Sequence, residues 1–341
     1  MTNEDSGFGQ LGVNPLSEQN ADKTERREER YSLALRVAND GLWEWDLEKN
    51  EISYSAKWKS MIGFQDDEIG QSPNEWFERI HPEDHDRVEA LINAYLDGTT
   101  SNFEIEYRIN HFNETYRWMQ AKGLAIRTSE GKATMFAGSQ TDVTERKLSE
   151  EQLIHDALHD TLTGIPNRTL LLDRIRQSLV RRQRYPKTSF AVIFIDLDRF
   201  RLVNESLGHV HGDELLILIA QRLKENIPIS DTVARLGGDE FSIFLQDIED
   251  AKDALNIAET IQTTFSKPFL LGNREVFASA SMGISHSDNN YKNPEEILRD
   301  SELAMYRAKR DGKAQNIIFE KKLRHSNLSP IDLDTDLRRA L

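Results

Sequence analysis

The order of apolar periodicities between residues 160 and 320 is the feature that most restricts the fold of this 341-residue chain. Leu171, Ile175 and Leu179 recur at helical spacing, whereas 190–195 is a continuous apolar run typical of a buried strand. The segments that follow are a helix at 216–227, strands at 232–236 and 241–245, a helix at 254–265, a strand at 276–285 and a helix at 297–308. This order predicts a split βαβ arrangement, an α+β unit whose helices pack on one face of an antiparallel sheet.

The first half of the chain has a different pattern, in which polar and apolar residues alternate. The alternating segments are 42–46, 51–54, 103–109, 116–120 and 134–138. They predict an antiparallel sheet that is covered on one side, with short helical pieces carrying Trp58 and Trp76 between the second and third strands. A chain of this length and pattern is expected to form at least two domains.

Composition excludes several classes of function. The chain has no cysteine, which rules out disulfides, zinc–thiolate sites and thiol nucleophiles. Its 43 basic and 58 acidic side chains give a net charge of -15, so neither a nucleic acid nor an anionic membrane is an expected partner. The apolar runs are far shorter than the roughly 20 residues that span a bilayer, and 1–20 lacks the pattern of a signal peptide. We therefore expect a cytoplasmic protein.

Two acidic clusters lie where strands are predicted to end. Asp196 and Asp198 are two residues apart after an apolar strand, so their carboxylates point to the same side of the sheet. Asp239 and Glu240 follow Gly237 and Gly238 in a turn between two strands. If these strands are neighbours, Asp196 and Asp239 converge and supply the hard oxygen ligands that Mg²⁺ prefers. Taken alone, Gly-Gly-Asp-Glu is more simply explained as an acidic turn without a ligand.

Three motifs in the first half resemble the PAS fold. They are Trp43-x-Trp45-Asp46, His81-Pro-Glu-Asp84 and Asp142-Val-Thr-Glu-Arg-Lys147, and the resemblance covers about 29–147. The third motif is typical of a PAS domain joined to a downstream output domain. The PAS ligand remains unknown.

The residue types in this PAS region favour structural roles. His81 precedes a proline and two carboxylates, a pattern that suits a helix start better than a haem ligand. We expect the large aromatic residues to fill a core, and the protein to be colourless, without haem or flavin. The aromatic residues in question are Trp43, Trp45, Tyr54, Trp58, Trp76 and Trp118.

Six motifs in the second half resemble the GGDEF family of diguanylate cyclases, over about 159–319. They are 160–168, 196–201, Asn204 with 208–209 and 212–213, 235–241, 281–285 and 306–313. The resemblance implies a palm-like βαββαβ domain. It also implies that two GTP molecules condense into cyclic di-GMP and two pyrophosphates, with Mg²⁺ or Mn²⁺, between the two subunits of a homodimer.

The resemblance also implies roles for individual residues. The metal ligands fall on Asp196, the backbone carbonyl of Leu197, and Asp239. Glu240 assists the metal or the attacking hydroxyl, so that Asp239, Glu240 and Lys309 form the catalytic set. Guanine recognition falls on Asn204 and Asp213. Phosphate binding falls on Lys309, Lys313 and His209, and on the backbone of 198–201 with Phe200 and Arg201.

Three of these residues have alternative explanations. His209 is explained equally well by a structural role. Lys309 and Lys313 are four residues apart, which puts them on one helix face, and a solvated basic helix end accounts for that as well as phosphate binding does.

One site of the family is altered here. The product-inhibition motif Arg-x-x-Asp is replaced by 228–231, in which Pro228 stands for the arginine and Asp231 is retained. Without the guanidinium, this inhibitory site is expected to be degenerate.

The expected organisation has five segments. They are a disordered or helical lead-in at 1–28, a PAS sensor at 29–147, a helical linker at 148–159, a GGDEF domain at 160–321 and a further linker at 322–341. The linker at 148–159 is either a plain connector or a short coiled-coil stub that carries a signal between dimer partners. Residues 332–341 resemble the entry helix of EAL phosphodiesterase domains, so we expect an EAL domain to be missing from this chain.

Three functions fit these expectations. The first is a PAS-regulated diguanylate cyclase. In the second, the GGDEF domain binds GTP without cyclisation and regulates the absent EAL phosphodiesterase. The third is a scaffold whose PAS domain serves dimerisation alone.

Overall fold

The structure of this protein is a computed structural model that describes residues 40–324. The chain divides between Glu151 and Gln152 into two compact units. The lead-in expected at 1–28, the start of the PAS region at 29–39 and the EAL-like segment at 332–341 lie outside the described residues.

The first unit is built on a five-stranded antiparallel sheet with spatial order β2-β1-β5-β4-β3. Its strands are β1 (Gly41–Asp46), β2 (Glu51–Tyr54), β3 (Phe103–Asn110), β4 (Tyr116–Arg127) and β5 (Ala133–Asp142). Between β2 and β3 lie helices α1 (Ala56–Met61), α2 (Asn74–Phe77) and α3 (Pro82–Leu96). The predicted strand positions and the antiparallel sheet are therefore confirmed, although β4 and β5 extend beyond their predicted ends.

Aromatic side chains fill the core between this sheet and its helices. Trp43, Trp58 and Trp76 are completely or almost completely buried. The Trp43 ring packs edge-on against Phe136, with ring centroids 4.7 Å apart. Trp76 Nε1 donates to the hydroxyl of Tyr107 at 2.7 Å, which satisfies a polar group deep in the core. These tryptophans thus stabilise the fold by packing.

The His-Pro-Glu-Asp motif starts helix α3 in the way its residue types predict. His81 is the N-cap, and its Nδ1 accepts a hydrogen bond from the backbone N–H of Glu83 at 3.2 Å. Pro82 is the first helical residue, where its missing N–H costs nothing. Asp84 accepts hydrogen bonds from the backbone N–H and Nε of Arg108, which ties the helix to β3.

Helix α4 (Thr144–Leu158) begins four residues earlier than the linker helix expected at 148–159. Asp142 Oδ1 accepts from the backbone N–H of Thr144 at 2.9 Å, which satisfies a donor that the first turn of a helix leaves unpaired. Leu148, Leu153 and Ile154 on this helix are exposed.

The second unit is built on a five-stranded mixed sheet with spatial order β12-β11-β6-β8-β7. Its strands are β6 (Phe190–Asp198), β7 (Thr232–Gly237), β8 (Glu240–Gln246), β11 (Ser279–His286) and the short β12 (Asn316–Ile318), with β9 (Phe269–Leu271) and β10 (Arg274–Val276) forming a separate hairpin. The helices are α5 (Arg168–Arg184), α6 (Phe200–Leu207), α7 (His209–Glu225), α8 (Ala251–Phe265) and α9 (Pro294–Arg310).

Helices cover both faces of this sheet, so the expectation of helices on one face was wrong. Ile193 and Ile195 of β6 belong to a core cluster with residues of α7 and α8. Val192 and Phe194, which alternate with them, belong to a second cluster with residues of α5 and α9. A strand buried on both faces is apolar throughout, which explains the continuous run at 190–195.

The prediction of a strand at 276–285 was also wrong for its first residues. Val276 belongs to β10 of the separate hairpin, whose turn contains Gly272 at a φ of +57°, and β11 begins only at Ser279. Phe277, between the two strands, is exposed. The apolar pattern continued across this break, so periodicity alone did not reveal it.

Helix α9 packs directly on β11 at Gly283, and this close approach positions the end of α9. A Cβ at Gly283 would overlap the carbonyl oxygen of Ser301 and the backbone nitrogen of Met305. Because both obstacles are backbone atoms, a side chain cannot be accommodated by rotation.

We predict that Gly283→Ala lowers the free energy of unfolding by about 1–3 kcal/mol or more, because the helix must move away from the sheet. Urea unfolding measures the change. Gly70→Ala is the control, since its methyl group would meet only Glu75 Oε1, at 3.6 Å. Equal stability of the two variants would contradict the packing argument.

Candidate functional site

Carboxylates converge at the end of strand β6. Strands β6 and β8 are antiparallel neighbours, with Asp196 opposite Glu240. The backbone N–H of Leu197 donates to the carbonyl of Asp239 at 3.3 Å, so the Gly-Gly-Asp turn lies beside the last residues of β6. These strands are neighbours, which is the condition on which the predicted convergence of Asp196 and Asp239 depends.

This cluster carries more negative charge than its surroundings neutralise. Burial raises the pKa of Asp196 to about 7; Lys309 Nζ, 2.5 Å from Oδ1, opposes this shift, and Asp239 and Glu240 add to it. Burial also raises the pKa of Glu240, and the neighbouring Glu302 contributes. A cation at this position would relieve the repulsion and keep these groups ionised.

The donor set fits a hard divalent cation. Carboxylate and backbone carbonyl oxygens are the ligands of Mg²⁺, which keeps several positions for water or phosphate oxygens. Within residues 40–324, no group of three or more acidic or histidine side chains is arranged to hold a metal by itself. The residues at the end of β6 therefore suit an ion that a phosphate ligand shares.

Asp198 has a role that the sequence did not predict. Its carboxylate accepts hydrogen bonds from the hydroxyls of Ser279 and Ser281 at 2.9 and 2.8 Å and from the backbone N–H of Ala314 at 3.1 Å. It therefore ties the end of β6 to β11 and to the segment after α9. Ser281, the first residue of the 281–285 motif, was the available signal.

Lys309 and Lys313 do not share a helix face, which corrects the sequence-based expectation. Helix α9 ends at Arg310, and Lys313 lies beyond it at a φ of +67°. Its backbone N–H donates to the carbonyl of Ala308 at 3.0 Å and so closes the helix end. The structure brings Lys309 to Asp196, whereas Lys313 is exposed in the segment that follows.

The backbone predicted to bind phosphate, residues 198–201, lies in the turn from β6 into α6. Arg199 adopts a φ of +60° at this turn. Phe200 packs against the core cluster, and Arg201 is exposed and pairs with Glu205 at 2.7 Å. Phe200 thus has a packing role, and Arg201 points to its own helix in this structure.

The predicted guanine-binding residues lie together at the junction of α6 and α7. A Cβ at Gly212 would overlap Asn204 Oδ1, so the amide of Asn204 packs against the backbone of Gly212, next to Asp213. Asp213 is exposed in the first turns of α7. Gly208, at a φ of +86°, joins the two helices, and His209 is the exposed first residue of α7. The absence of a side chain at Gly212 is what allows this contact.

Arg235 and Asp160 hold the Gly-Gly turn, and both lie in motifs whose individual roles the sequence left unassigned. Arg235 donates to both carboxylate oxygens of Asp160, at 2.9 and 3.1 Å, and to the carbonyl of Gly238 at 3.0 and 2.7 Å. Burial would raise the pKa of Asp160, but hydrogen bonds from Thr163 and Arg235 hold it below its usual range. This ion pair positions the turn that carries Asp239.

Asp231 at the altered inhibitory motif serves the fold. Its Oδ1 accepts from the backbone N–H of Gln246 at 2.9 Å, at the end of β8. Its own N–H donates to the carbonyl of Pro228, which makes 228–231 a turn. Burial raises the pKa of Asp231. The degeneracy of this site stays a prediction.

Comparison with known proteins identifies both halves of the chain. Residues 157–315 match the family described as "Diguanylate cyclase, GGDEF domain", and residues 51–139 match the family described as "PAS fold". These matches confirm the PAS and GGDEF assignments, and they do not extend to the EAL-like segment.

The curated relatives include two proteins of Pseudomonas aeruginosa. The bifunctional diguanylate cyclase/cyclic di-GMP phosphodiesterase MucR is 40% identical over 193 residues, which cover 57% of this chain and 28% of MucR. The diguanylate cyclase TpbB is 37% identical over 179 residues, which cover 52% of this chain and 41% of TpbB. The chain thus spans less than half the length of both relatives.

Among solved structures, the GGDEF domain of TpbB from Pseudomonas aeruginosa shares 36% identity. The match covers 49% of this chain and 97% of that domain, with a TM-score of 0.47. In the part of this chain that the structure describes, no helix has the length and apolar character to cross a bilayer.

We predict that Arg235→Met lowers the free energy of unfolding by about 1–3 kcal/mol at neutral pH, because it leaves Asp160 and the Gly238 carbonyl unpaired. The pKa of Asp160 is depressed in the folded state, so its stabilising contribution is complete above its ordinary pKa and is lost as the pH falls. The difference from wild type should therefore decline below about pH 4.

Urea unfolding at several pH values measures this effect. Arg201→Met is the control, because it removes an exposed ion pair that contributes little. A loss in Arg235→Met that is no larger than in the control, or that is independent of pH, would contradict the role of the ion pair.

Proposed function

We propose that this chain, in which a PAS fold precedes a domain of the GGDEF family, is a PAS-regulated diguanylate cyclase that condenses two GTP molecules into cyclic di-GMP. The observation that carries the proposal is the position of Asp196, Asp239, Glu240 and Lys309 at one end of the sheet. MucR and TpbB, two relatives of this chain that are both named as diguanylate cyclases, support the proposal.

The base of GTP is assigned to the junction of α6 and α7. The amide of Asn204 and the carboxylate of Asp213 together offer a donor and acceptors to the polar edge of guanine. Adenine presents the opposite pattern and would leave these groups unpaired, so a site of this kind selects GTP over ATP.

The phosphates of GTP are assigned to the end of β6. Mg²⁺ or Mn²⁺, bound by Asp196, the carbonyl of Leu197 and Asp239, would supply charge neutralisation at the transferring phosphoryl group. Lys309 contributes a positive charge beside Asp196, and this charge would stabilise the phosphate oxygens of a bound nucleotide. Glu240 assists as an acceptor for the attacking 3′-hydroxyl.

The reaction needs two copies of the domain. One site of this kind holds one GTP, and each 3′-hydroxyl attacks the α-phosphorus of the other molecule. Two sites must therefore face each other, so a homodimer with a two-fold axis is the proposed active species.

A direct assay tests the proposal. The purified chain is incubated with GTP and Mg²⁺, and the products are separated by chromatography and identified by mass spectrometry. Cyclic di-GMP and pyrophosphate are expected. Binding of GTP without product would favour instead a regulatory GGDEF domain that controls a phosphodiesterase outside this chain. Neither binding nor product would favour the scaffold.

We predict that Asp239→Ala abolishes cyclic di-GMP synthesis and leaves the fold intact, because this turn carboxylate is placed to hold metal. The control is Glu249→Ala, which removes an exposed carboxylate just beyond the other end of β8. Product formation and far-UV circular dichroism are measured for both. Retained synthesis in Asp239→Ala would remove this residue from the metal site.

We also predict that Asn204→Ala and Asp213→Ala raise the KM for GTP and relax the preference over ATP, since these groups are placed to enforce discrimination by pairing. Gly212→Ala should have the same effect, because its methyl group displaces the amide of Asn204. Competition assays with ATP provide the measurement. Unchanged selectivity in all three variants would overturn the guanine assignment.

A further inference from the structure

Two histidines lie one turn apart at the C-terminal end of helix α4. His155 is in the last turn, and His159 directly follows Leu158, the final helical residue. Their rings are stacked, with centroids 4.2 Å apart and planes inclined by only 6°. The side chain of His155 is half exposed. Both belong to the second unit, outside the proposed nucleotide site.

The hydrogen bond of His159 determines which of its ring nitrogens carries the proton. His159 Nδ1 lies 3.0 Å from the carbonyl oxygen of His155, which can only accept, so Nδ1 is protonated and Nε2 keeps its lone pair. His155 Nδ1 lies 3.6 Å from Asp156 Oδ1, which is beyond hydrogen-bond distance, so only the tautomer of His159 is fixed by a hydrogen bond. A carbonyl or carboxylate partner on the second nitrogen is what orients histidines that bind metals.

We propose that His155 and His159 form a binding site for a divalent transition-metal ion, with Zn²⁺ as the best fit. Two histidines four residues apart on one helix face are a known chelating arrangement, because both can reach one ion. His159 follows the last helical residue, but its backbone N–H still donates to the carbonyl of His155 at 2.8 Å, which keeps the helical spacing. Tetrahedral zinc with bonds of about 2.0–2.1 Å holds its nitrogens about 3.4 Å apart, so the stacked rings tilt together on binding. Water molecules complete the coordination.

A second pair of histidines with the same spacing shows what distinguishes this one. His81 and His85 are also four residues apart, and His85 Nδ1 faces Asp86 Oδ1 at 3.5 Å. However, Nδ1 of His81 accepts a hydrogen bond from the backbone of Glu83, so its proton is on Nε2. His81 and His85 contact different rings, those of Tyr116 and Phe77. This pair therefore lacks two free nitrogens on one surface.

The proposed metal site lies next to the residues that hold the Gly-Gly turn. His159 is followed by Asp160, the partner of Arg235, which in turn holds the carbonyl of Gly238. A metal bound by His155 and His159 would fix the end of α4 next to the residue that anchors the Gly-Gly turn.

Isothermal titration of Zn²⁺ into the full chain tests the proposal. Excess Mg²⁺ competes with Zn²⁺ for the carboxylates, and every titration is done at one neutral pH because metal binding depends on pH. We expect one Zn²⁺ per chain, and an affinity that falls by about tenfold or more in both His155→Gln and His159→Gln. His85→Gln is the matched control and should bind like wild type.

Equal affinity in wild type, His155→Gln and His159→Gln would overturn the proposal, as would an equal loss in His85→Gln. Far-UV circular dichroism without metal confirms that each variant is folded. Electron paramagnetic resonance of the wild-type chain with one equivalent of Cu²⁺ gives an independent measurement. Nitrogen couplings from two imidazoles are expected, and a spectrum with only oxygen ligands would contradict the site.

Discussion

The burial of strand β6 on both faces is the constraint on which the second unit depends. Its alternate side chains enter two separate cores, one beneath α7 and α8 and the other beneath α5 and α9. A strand in this position cannot move without disturbing both layers, because protein interiors are close-packed. The last residues of β6, Asp196 and Asp198, are therefore held in a fixed position at the edge of the core.

This rigidity explains how the structure tolerates a concentrated negative charge. Burial raises the pKa of Asp196, and Asp239 and Glu240 raise it further, against the opposing charge of Lys309. The packing of β6 on both faces holds these groups together despite their mutual repulsion. Lys309 reaches the cluster because α9 lies against β11 at Gly283.

The contacts that support the proposed site join different elements of the second unit. Asp160 and Arg235 fix the Gly-Gly turn, Asp198 ties β6 to the two serines of β11, and Gly212 lets Asn204 approach α7. Each is a polar or close-packed contact between elements, and none of these residues belongs to the two apolar core clusters. The end of α4, with its pair of histidines, joins this network through Asp160.

The sequence alone determined the α+β class, the PAS and GGDEF regions, most strands and the carboxylates at the end of β6, because these depend on local periodicity and on contiguous motifs. Tertiary structure decided what depends on where the elements end and how they pack against one another. It placed helices on both faces of the second sheet, separated Val276 from β11 and moved Lys313 off the face of Lys309. It also gave Asp198, Arg235 and Gly212 their roles. Apolar periodicity indicates that a residue is buried, whereas only the packing of the folded chain determines which residues it contacts.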